Sequence, residues 1–189
     1  SGGVDSTVLA VLLKEAGVNT RAIFVDHGLM RMDEGDEVRN NFHRMGVDIE
    51  TVECSELFLG QLADVSDPEE KRKIIGNLFI DVFWDTVGDA EMLAQGTLYP
   101  DVIESASNAK SKASKIKTHH NRVPRILELQ KQGKVLEPLA ELFKDEVREL
   151  GASLGIPHDI LHRHPFPGPG LAVRCPGDIT DKKLRIIRE

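Results

Sequence analysis

The junction between Ser1-Gly2-Gly3-Val4-Asp5-Ser6 and the apolar stretch after it restricts the fold of this chain more than any other feature. Val8, Leu9, Val11, Leu12 and Leu13 recur on one face of a helix that ends at Gly17, so the glycine-rich turn sits at a helix N-terminus. There the unpaired amides and the helix dipole favour an anion. Two glycines let the backbone take positive φ and approach a ligand closely, so that successive N–H groups converge on one phosphate. Ser1 and Ser6 add hydroxyl donors. Asp5 is the exception: a carboxylate beside phosphate repels it unless a cation lies between them, which makes Asp5 a candidate magnesium ligand. No lysine follows the glycines, so the Walker pattern GxxxxGK[ST] is absent.

Downstream, strand and helix signals alternate. Ala22-Ile23-Phe24-Val25 is a short apolar run suited to a strand buried on both faces, and Asp26-His27-Gly28 marks its carboxyl end. A helix is predicted from about Asp33 to Met45, stopped by Gly46, and then a strand through Ile49 and Val52. Asp67-Pro68-Glu69-Glu70 supplies an N-cap, a proline at the first helical position and an acid at the third. It starts a helix predicted to reach about Val87, with Ile74, Ile75, Leu78, Phe79, Val82 and Phe83 at helical spacing. Met92 to Gln95 is the next strand, ending at Gly96-Thr97, and Tyr99-Pro100-Asp101 continues the loop. Phe143 to Leu154 is a helix with Asp145 and Glu146 in its first turn and Gly155 after its end. Pro165-Phe166-Pro167-Gly168-Pro169-Gly170 excludes a helix and reads as a shaped, extended loop, and Asp181 to Glu189 begins an amphipathic helix.

This alternation predicts an α/β fold, a doubly wound parallel sheet with ligands at the carboxyl ends of its strands. Ser1–Ser6, Asp26–Gly28 and Gln95–Asp101 are expected on that rim. Because such a phosphate loop follows a central strand, the chain reads as a piece of a longer protein whose first strand is missing, with an open slot in the sheet.

With 189 residues, 40% hydrophobic and 29% charged, the chain can bury one good core. No apolar run approaches the roughly eighteen residues of a membrane span and no signal peptide precedes the loop, so a cytoplasmic location without membrane contact is expected. Cys54 and Cys175 lack CxxC or histidine spacing and read as small apolar residues. The net charge of −7 gives no general footprint for nucleic acid, but Lys110 to Lys134 holds eight basic residues against one acid. That +7 segment, against −14 for the remainder, suits an anionic ligand.

The pattern SGGxDS resembles the PP-loop of the N-type ATP pyrophosphatases, which split ATP into AMP and pyrophosphate and place the adenylate on an acceptor. Longer stretches narrow the resemblance. Phe24-Val25-Asp26-His27-Gly28-Leu29, Glu70-Lys71-Arg72-Lys73-Ile74-Ile75-Gly76, Leu93 to Ala106, Ile116-Lys117-Thr118-His119-His120-Asn121, Leu142 to Arg148 and Arg163 to Arg174 look like the ATP pyrophosphatase domain of the glutamine-hydrolysing GMP synthase family. They cover almost the whole chain.

The resemblance implies an adenine nucleotide alpha hydrolase-like fold. It also implies ATP-dependent amination of xanthosine monophosphate to GMP through an adenyl intermediate, releasing AMP and pyrophosphate. Ammonia comes from a separate glutaminase domain, and ATP and Mg²⁺ are the cofactors. Ser1, Gly2, Gly3, Asp5 and Ser6 then hold pyrophosphate and its magnesium, with Val4 mainly structural. Adenine lies near Phe24 and Val25, Gly96 permits close approach, and Thr97 donates to phosphate or ribose. Asp101 is a second candidate magnesium ligand, its alternative being a helix cap, and Lys117 offers charge to phosphate; Asp5, Asp101 and Lys117 form the catalytic set. His119 and His120 face opposite ways in an extended segment and suit substrate contacts better than one metal. His162 and His164, in a proline-rich context, suit a structural or substrate loop better than zinc. Ser105 to Arg125 is expected to close as a lid.

Residues 1–165 correspond to the ATP pyrophosphatase domain and 166–189 to the start of a C-terminal dimerisation domain, with a homodimer expected for the complete protein. The piece alone is expected to be inactive, unable to draw ammonia from glutamine and with little or no affinity for xanthosine monophosphate. Two positions depart from the family: His27 stands where many members carry asparagine, and Arg122-Val123-Pro124-Arg125-Ile126-Leu127 where one branch has Val-Gly-Gly-Leu-Pro. An alternative is another PP-loop enzyme, such as NAD synthetase or a tRNA-modifying adenylase. The HHN and PFPGPGLAVR blocks argue against it, and the cysteines lack the spacing a thiolating enzyme needs. A non-catalytic nucleotide-binding module is a further alternative, against which Asp5, Asp101 and Lys117 stand together.

Overall fold

Strands and helices alternate as the sequence predicts in the computed structural model, which describes residues 2–88, 92–103 and 124–189. The chain divides into two compact units, each assembled from separated stretches. Ser1–Gly2, Arg21–Gly88 and Pro165–Glu189 form one; Gly3–Thr20 and Asp89–His164 form the other.

The first unit is built on β1 (Ala22–Asp26) and β2 (Ile49–Glu53), paired in parallel from Ala22↔Ile49 to Asp26↔Glu53. Between them runs α2 (Glu34–Arg44), which buries Val38 and Phe42 and stops before Gly46. After β2, α3 (Ser55–Gln61) inserts Phe58 and is followed by the buried Leu62; it is a helix that the sequence reading did not pick out. α4 (Pro68–Val87) starts where its signals predict, with the Asp67 carboxylate accepting from the Glu70 amide at 2.8 Å. Phe24 and Val25 are each 1% exposed, as a strand covered on both faces requires. Val25, Leu29, Phe58, Leu62, Ile75, Leu171, Ala172 and Leu184 make one core.

The Pro/Gly segment is irregular as expected, then tightens into a 3₁₀ turn over Gly170–Arg174 that packs on α4. The final helix of this unit, Asp181–Arg188, is capped by the Thr180 hydroxyl. Both cysteines are free; Cys54 donates to the Asp26 carbonyl at 3.3 Å, and burial above all pushes its thiol up to about 11, consistent with an inert packing role.

His27 explains how the loop after β1 is held. The ring is 2% exposed, lies 5.5 Å from Phe58, and its Nδ1 accepts from the Leu29 amide at 3.1 Å, which puts the ring proton on Nε2. Burial lowers its pKa from the ordinary 6.5, against the pull of Asp26 and of a hydrogen bond to the Gly168 backbone. A lowered histidine pKa means that the unfolded chain takes up the proton first. The stabilisation is therefore complete above pH 6.5 and is lost as pH falls from there toward the folded value, at a limiting slope of about 1.4 kcal/mol per pH unit. Urea unfolding between pH 7.5 and 5 is expected to show this slope, and His27→Asn, which keeps an acceptor but does not titrate, is expected to flatten it. An unchanged slope in that variant would assign the effect elsewhere.

The second unit pairs β3 (Leu93–Ala94) with β4 (Val135–Leu136), again in parallel. Among the described residues the strands thus form two two-stranded parallel sheets. α1 (Val4–Glu15) packs on α6 (Lys144–Ser153), which is preceded by α5 (Pro124–Lys131) and followed by α7 (His158–Leu161). The approach of α1 to α6 is close because Gly151 has no side chain: a Cβ there would lie 2.9 Å from Val8 and 2.5 Å from Leu161. The final helix of the chain, Asp181–Arg188 in the first unit, is α8. Among the described residues no helix is long and apolar enough to cross a membrane.

Candidate functional site

The N-terminus of α1 carries no side-chain cap, because its N-cap residue is Gly3. Its first amides are left without intrahelical partners, as at any helix start. The Gly3 carbonyl is heavily used, accepting from the Thr7 amide at 3.0 Å and from the Ser6 and Thr7 hydroxyls at 2.9 Å each. Thr7, 2% exposed, is a buried partner of this turn that sequence reading passed over. One expectation needs correction: neither Gly2 nor Gly3 has positive φ, and Gly3 is extended at φ −78°, ψ 162°. Space explains Gly2 better than handedness does, since a Cβ there would meet the Val38 side chain at 2.3 Å. Val4 opens α1 and is half-buried.

Asp5, in the first turn of α1, has a partner that the sequence did not suggest. Lys144, the first residue of α6, donates from Nζ to Asp5 Oδ1 at 2.5 Å. The two lie 139 residues apart in sequence, and the packing of α1 on α6 joins them. Gly96 sits against the same residue: a Cβ at position 96 would lie 3.3 Å from the Asp5 carbonyl carbon, a tight contact that glycine relieves. The loop is tied to the start of α6 by the Tyr99 amide, which donates to Leu142 at 3.0 Å, and by an edge-to-face contact of Tyr99 with Phe143 at 5.2 Å. Asp5, Gly96 and Lys144 are thereby gathered at one helix start.

The other expected residues are placed differently. Thr97 is 8% exposed and its hydroxyl donates to Glu137 at 2.5 Å, so its proton is already committed to a carboxylate. Asp101 Oδ2 accepts from the Leu98 amide at 3.0 Å and caps the helical turn over 99–103, the role weighed as its alternative. Val25 belongs to the core of the first unit, with its side chain buried. The His162 ring stacks on His158 at 3.9 Å. Ser1, Lys117, His119 and His120 lie outside the described residues, as does nearly all of the segment from Ser105 to Arg125. Among the described residues no cluster of three or more His, Cys, Asp and Glu side chains is arranged to hold a metal.

The first unit has a polar cleft of about 820 Å³ at the carboxyl ends of β1 and β2, where Asp26, Gly28, Arg31, Arg39, Glu53 and Arg188 face one another. Arg188 organises the loop after β1 by donating to the Gly28 and Met30 carbonyls at 2.7 and 3.0 Å. Nearby, the guanidiniums of Arg31 and Arg174 lie 4.5 and 5.6 Å from the centre of the Phe166 ring.

No protein-family model matches the chain. Over its whole length it is 51% identical to a protein of Thermosipho melanesiensis named GMP synthase (glutamine-hydrolyzing), covering 38% of that protein. It is 55% identical to proteins of the same name from Rhodopseudomonas palustris and a Marinomonas species, covering 35% and 36% of them. The chain therefore spans little more than a third of the length of these curated relatives. The solved structure of NMN synthetase from Francisella tularensis superposes with a TM-score of 0.64 at 17% identity, over 90% of this chain and 65% of that one. The α/β fold class read from the sequence and the resemblance to GMP synthases along the full chain are both borne out.

Proposed function

We propose that this chain is the ATP pyrophosphatase part of a cytoplasmic, glutamine-hydrolysing GMP synthase, a ligase that aminates xanthosine monophosphate. The observation that carries the reading is identity of 51–55% over every residue to proteins so named. In this reading residues 1–165 form the catalytic domain and 166–189 begin a dimerisation domain, with ammonia supplied by a glutaminase domain. The C2 oxygen of the acceptor attacks the α-phosphorus of ATP and pyrophosphate leaves. Ammonia then attacks C2 and AMP leaves.

The donor set at the α1 start suits this chemistry. Uncapped amides at a helix N-terminus receive anionic oxygens, and the carboxylate of Asp5 already attracts a cation, the Lys144 ammonium. Asp5 would hold Mg²⁺, with Asp101 as the second ligand if its capping bond to Leu98 is released. Bound there, Mg²⁺ supplies charge neutralisation for the departing pyrophosphate. Gly2, Gly3, Val4 and Ser6 line the phosphate loop together with Ser1, Gly96 keeps the wall open, and Lys144 joins Lys117 as a cation for phosphate oxygens. Thr97, whose proton rests on Glu137, offers its oxygen as an acceptor to a ribose hydroxyl. The backbone at Val25 reads the adenine edge. The paired guanidiniums on Phe166 suit the phosphate of the acceptor nucleotide.

Pyrophosphate release from ATP by the complete protein, with ammonia and magnesium, is expected to depend strictly on xanthosine monophosphate and to fall by roughly 10²-fold or more in Asp5→Ala. Release that ignores this nucleotide, or responds instead to another acceptor, would return the chain to the wider class of PP-loop enzymes.

A further inference from the structure

Lys71 lies in a run of five charged residues, Glu69 to Lys73, of the kind that solvent usually surrounds, yet it is 1% exposed. Its Nζ donates to three backbone carbonyls: Gly177 at 2.5 Å, Cys175 at 2.8 Å and Ala172 at 3.3 Å. An ammonium has three protons and no acceptor, so these oxygens use it completely. Burying such a charge is costly, and an apolar residue of similar volume is often as stabilising, so stability alone does not account for a lysine here. What the ammonium supplies is direction. Three carbonyls must aim at one point, which fixes the backbone from 172 to 177 in a way that apolar packing cannot.

That backbone carries Arg174, and the same segment carries Phe166. The segment is pinned to the loop after β1 by the Leu171 amide, which donates to Leu29 at 2.8 Å, and by the bond between His27 and Gly168. Arg31, over the same ring, comes from that loop. Two like charges on one ring repel, so their spacing depends on the rigidity of what holds them.

We infer that Lys71 is a positioning residue: its buried ammonium gathers the carbonyls of Ala172, Cys175 and Gly177 and so sets Arg174 against the Phe166 ring that Arg31 shares, for an anionic ligand. With the acceptor reading above, on which this part rests, that ligand is the acceptor's phosphate. The effect of losing Lys71 falls on acceptor binding and spares ATP.

The test uses the full-length protein carrying Lys71→Met. Amide hydrogen exchange across residues 168–177 is expected to quicken by about tenfold or more. KM for xanthosine monophosphate is expected to rise by about tenfold, with KM for ATP within about twofold. Lys71→Ala adds a control that survives poor folding of the first variant. Propylammonium, which restores the missing carbons and the charge, is expected to reverse both effects, whereas 1-propanol, similar in size but neutral, is not. Unchanged exchange, equal movement of both KM values, or equal rescue by propanol would overturn the inference. If the unsubstituted protein shows no dependence on xanthosine monophosphate, the acceptor reading fails by itself. The exchange measurements and the amine rescue then decide the role of Lys71.

Discussion

Lys144→Met in the complete protein is expected, on the function proposed above, to slow pyrophosphate release by about 10²- to 10³-fold while leaving thermal stability almost unchanged. The two halves of this expectation come from the same geometry. The side chains of Lys144 and Asp5 are 41% and 30% exposed, and a pair this wet contributes only about 0–1 kcal/mol to folding. Where phosphate charge gathers, however, a fixed cation acts on the transition state, and losing one such donor is severe. Lys144→Arg is expected to recover part of the rate, since charge is retained but the planar fork meets Asp5 differently. The double variant with Asp5→Ala is expected to lose much less than the product of the single losses, as for groups that act as a unit. A rate for Lys144→Met within about threefold of the unsubstituted protein would remove Lys144 from the site.

Gly170→Ala is expected to be the most damaging single methyl in the first unit, at about 3 kcal/mol or more. Gly170 has φ +62°, and an L-residue in that region costs roughly 1–2 kcal/mol. Its Cβ would also fall 2.3 Å from the Leu29 carbonyl oxygen, a backbone atom that cannot rotate away. Making room breaks the 2.8 Å bond from the Leu171 amide to that carbonyl, adding about 1 kcal/mol. Gly17→Ala separates the contributions, because Gly17 has φ +69° with nothing within 4 Å of its Cβ position, so only the handedness cost applies. For a chain of this length, melting should fall by about 6–12 °C in the first variant and about 2–8 °C in the second. Equal shifts would show that contact with Leu29 contributes nothing.

Local signals were legible where short-range chemistry decides. Asp67-Pro68 announced α4, Gly46 and Gly155 marked helix ends, and the buried run through Phe24 and Val25 announced β1. α3 was missed because its seven residues are too short for a helical period to stand out, and β4 because two residues have no pattern at all. At the candidate site, the loop and Gly96 could be read from glycines and their neighbours. Lys144 could not, since its contact with Asp5 exists only after α1 and α6 pack. The burial of Lys71 had no local signal, because charge in a charged run is normally solvated and nothing nearby announces three carbonyls more than a hundred residues away. Gly2 was rightly noticed, but for steric room rather than for left-handed backbone.

The separation between Lys71 and its carbonyls, 101 to 106 residues, has a meaning in time as well as in space. At roughly 5–20 residues per second, a ribosome exposes α4 about 5–20 s before it delivers the turn that receives the ammonium. During that interval the nascent first unit lacks Leu171, Ala172 and Leu184 of its core, and Lys71 lacks all three of its carbonyl partners. The bonds that direct the finished turn therefore cannot form until the last stretch of this unit has been made.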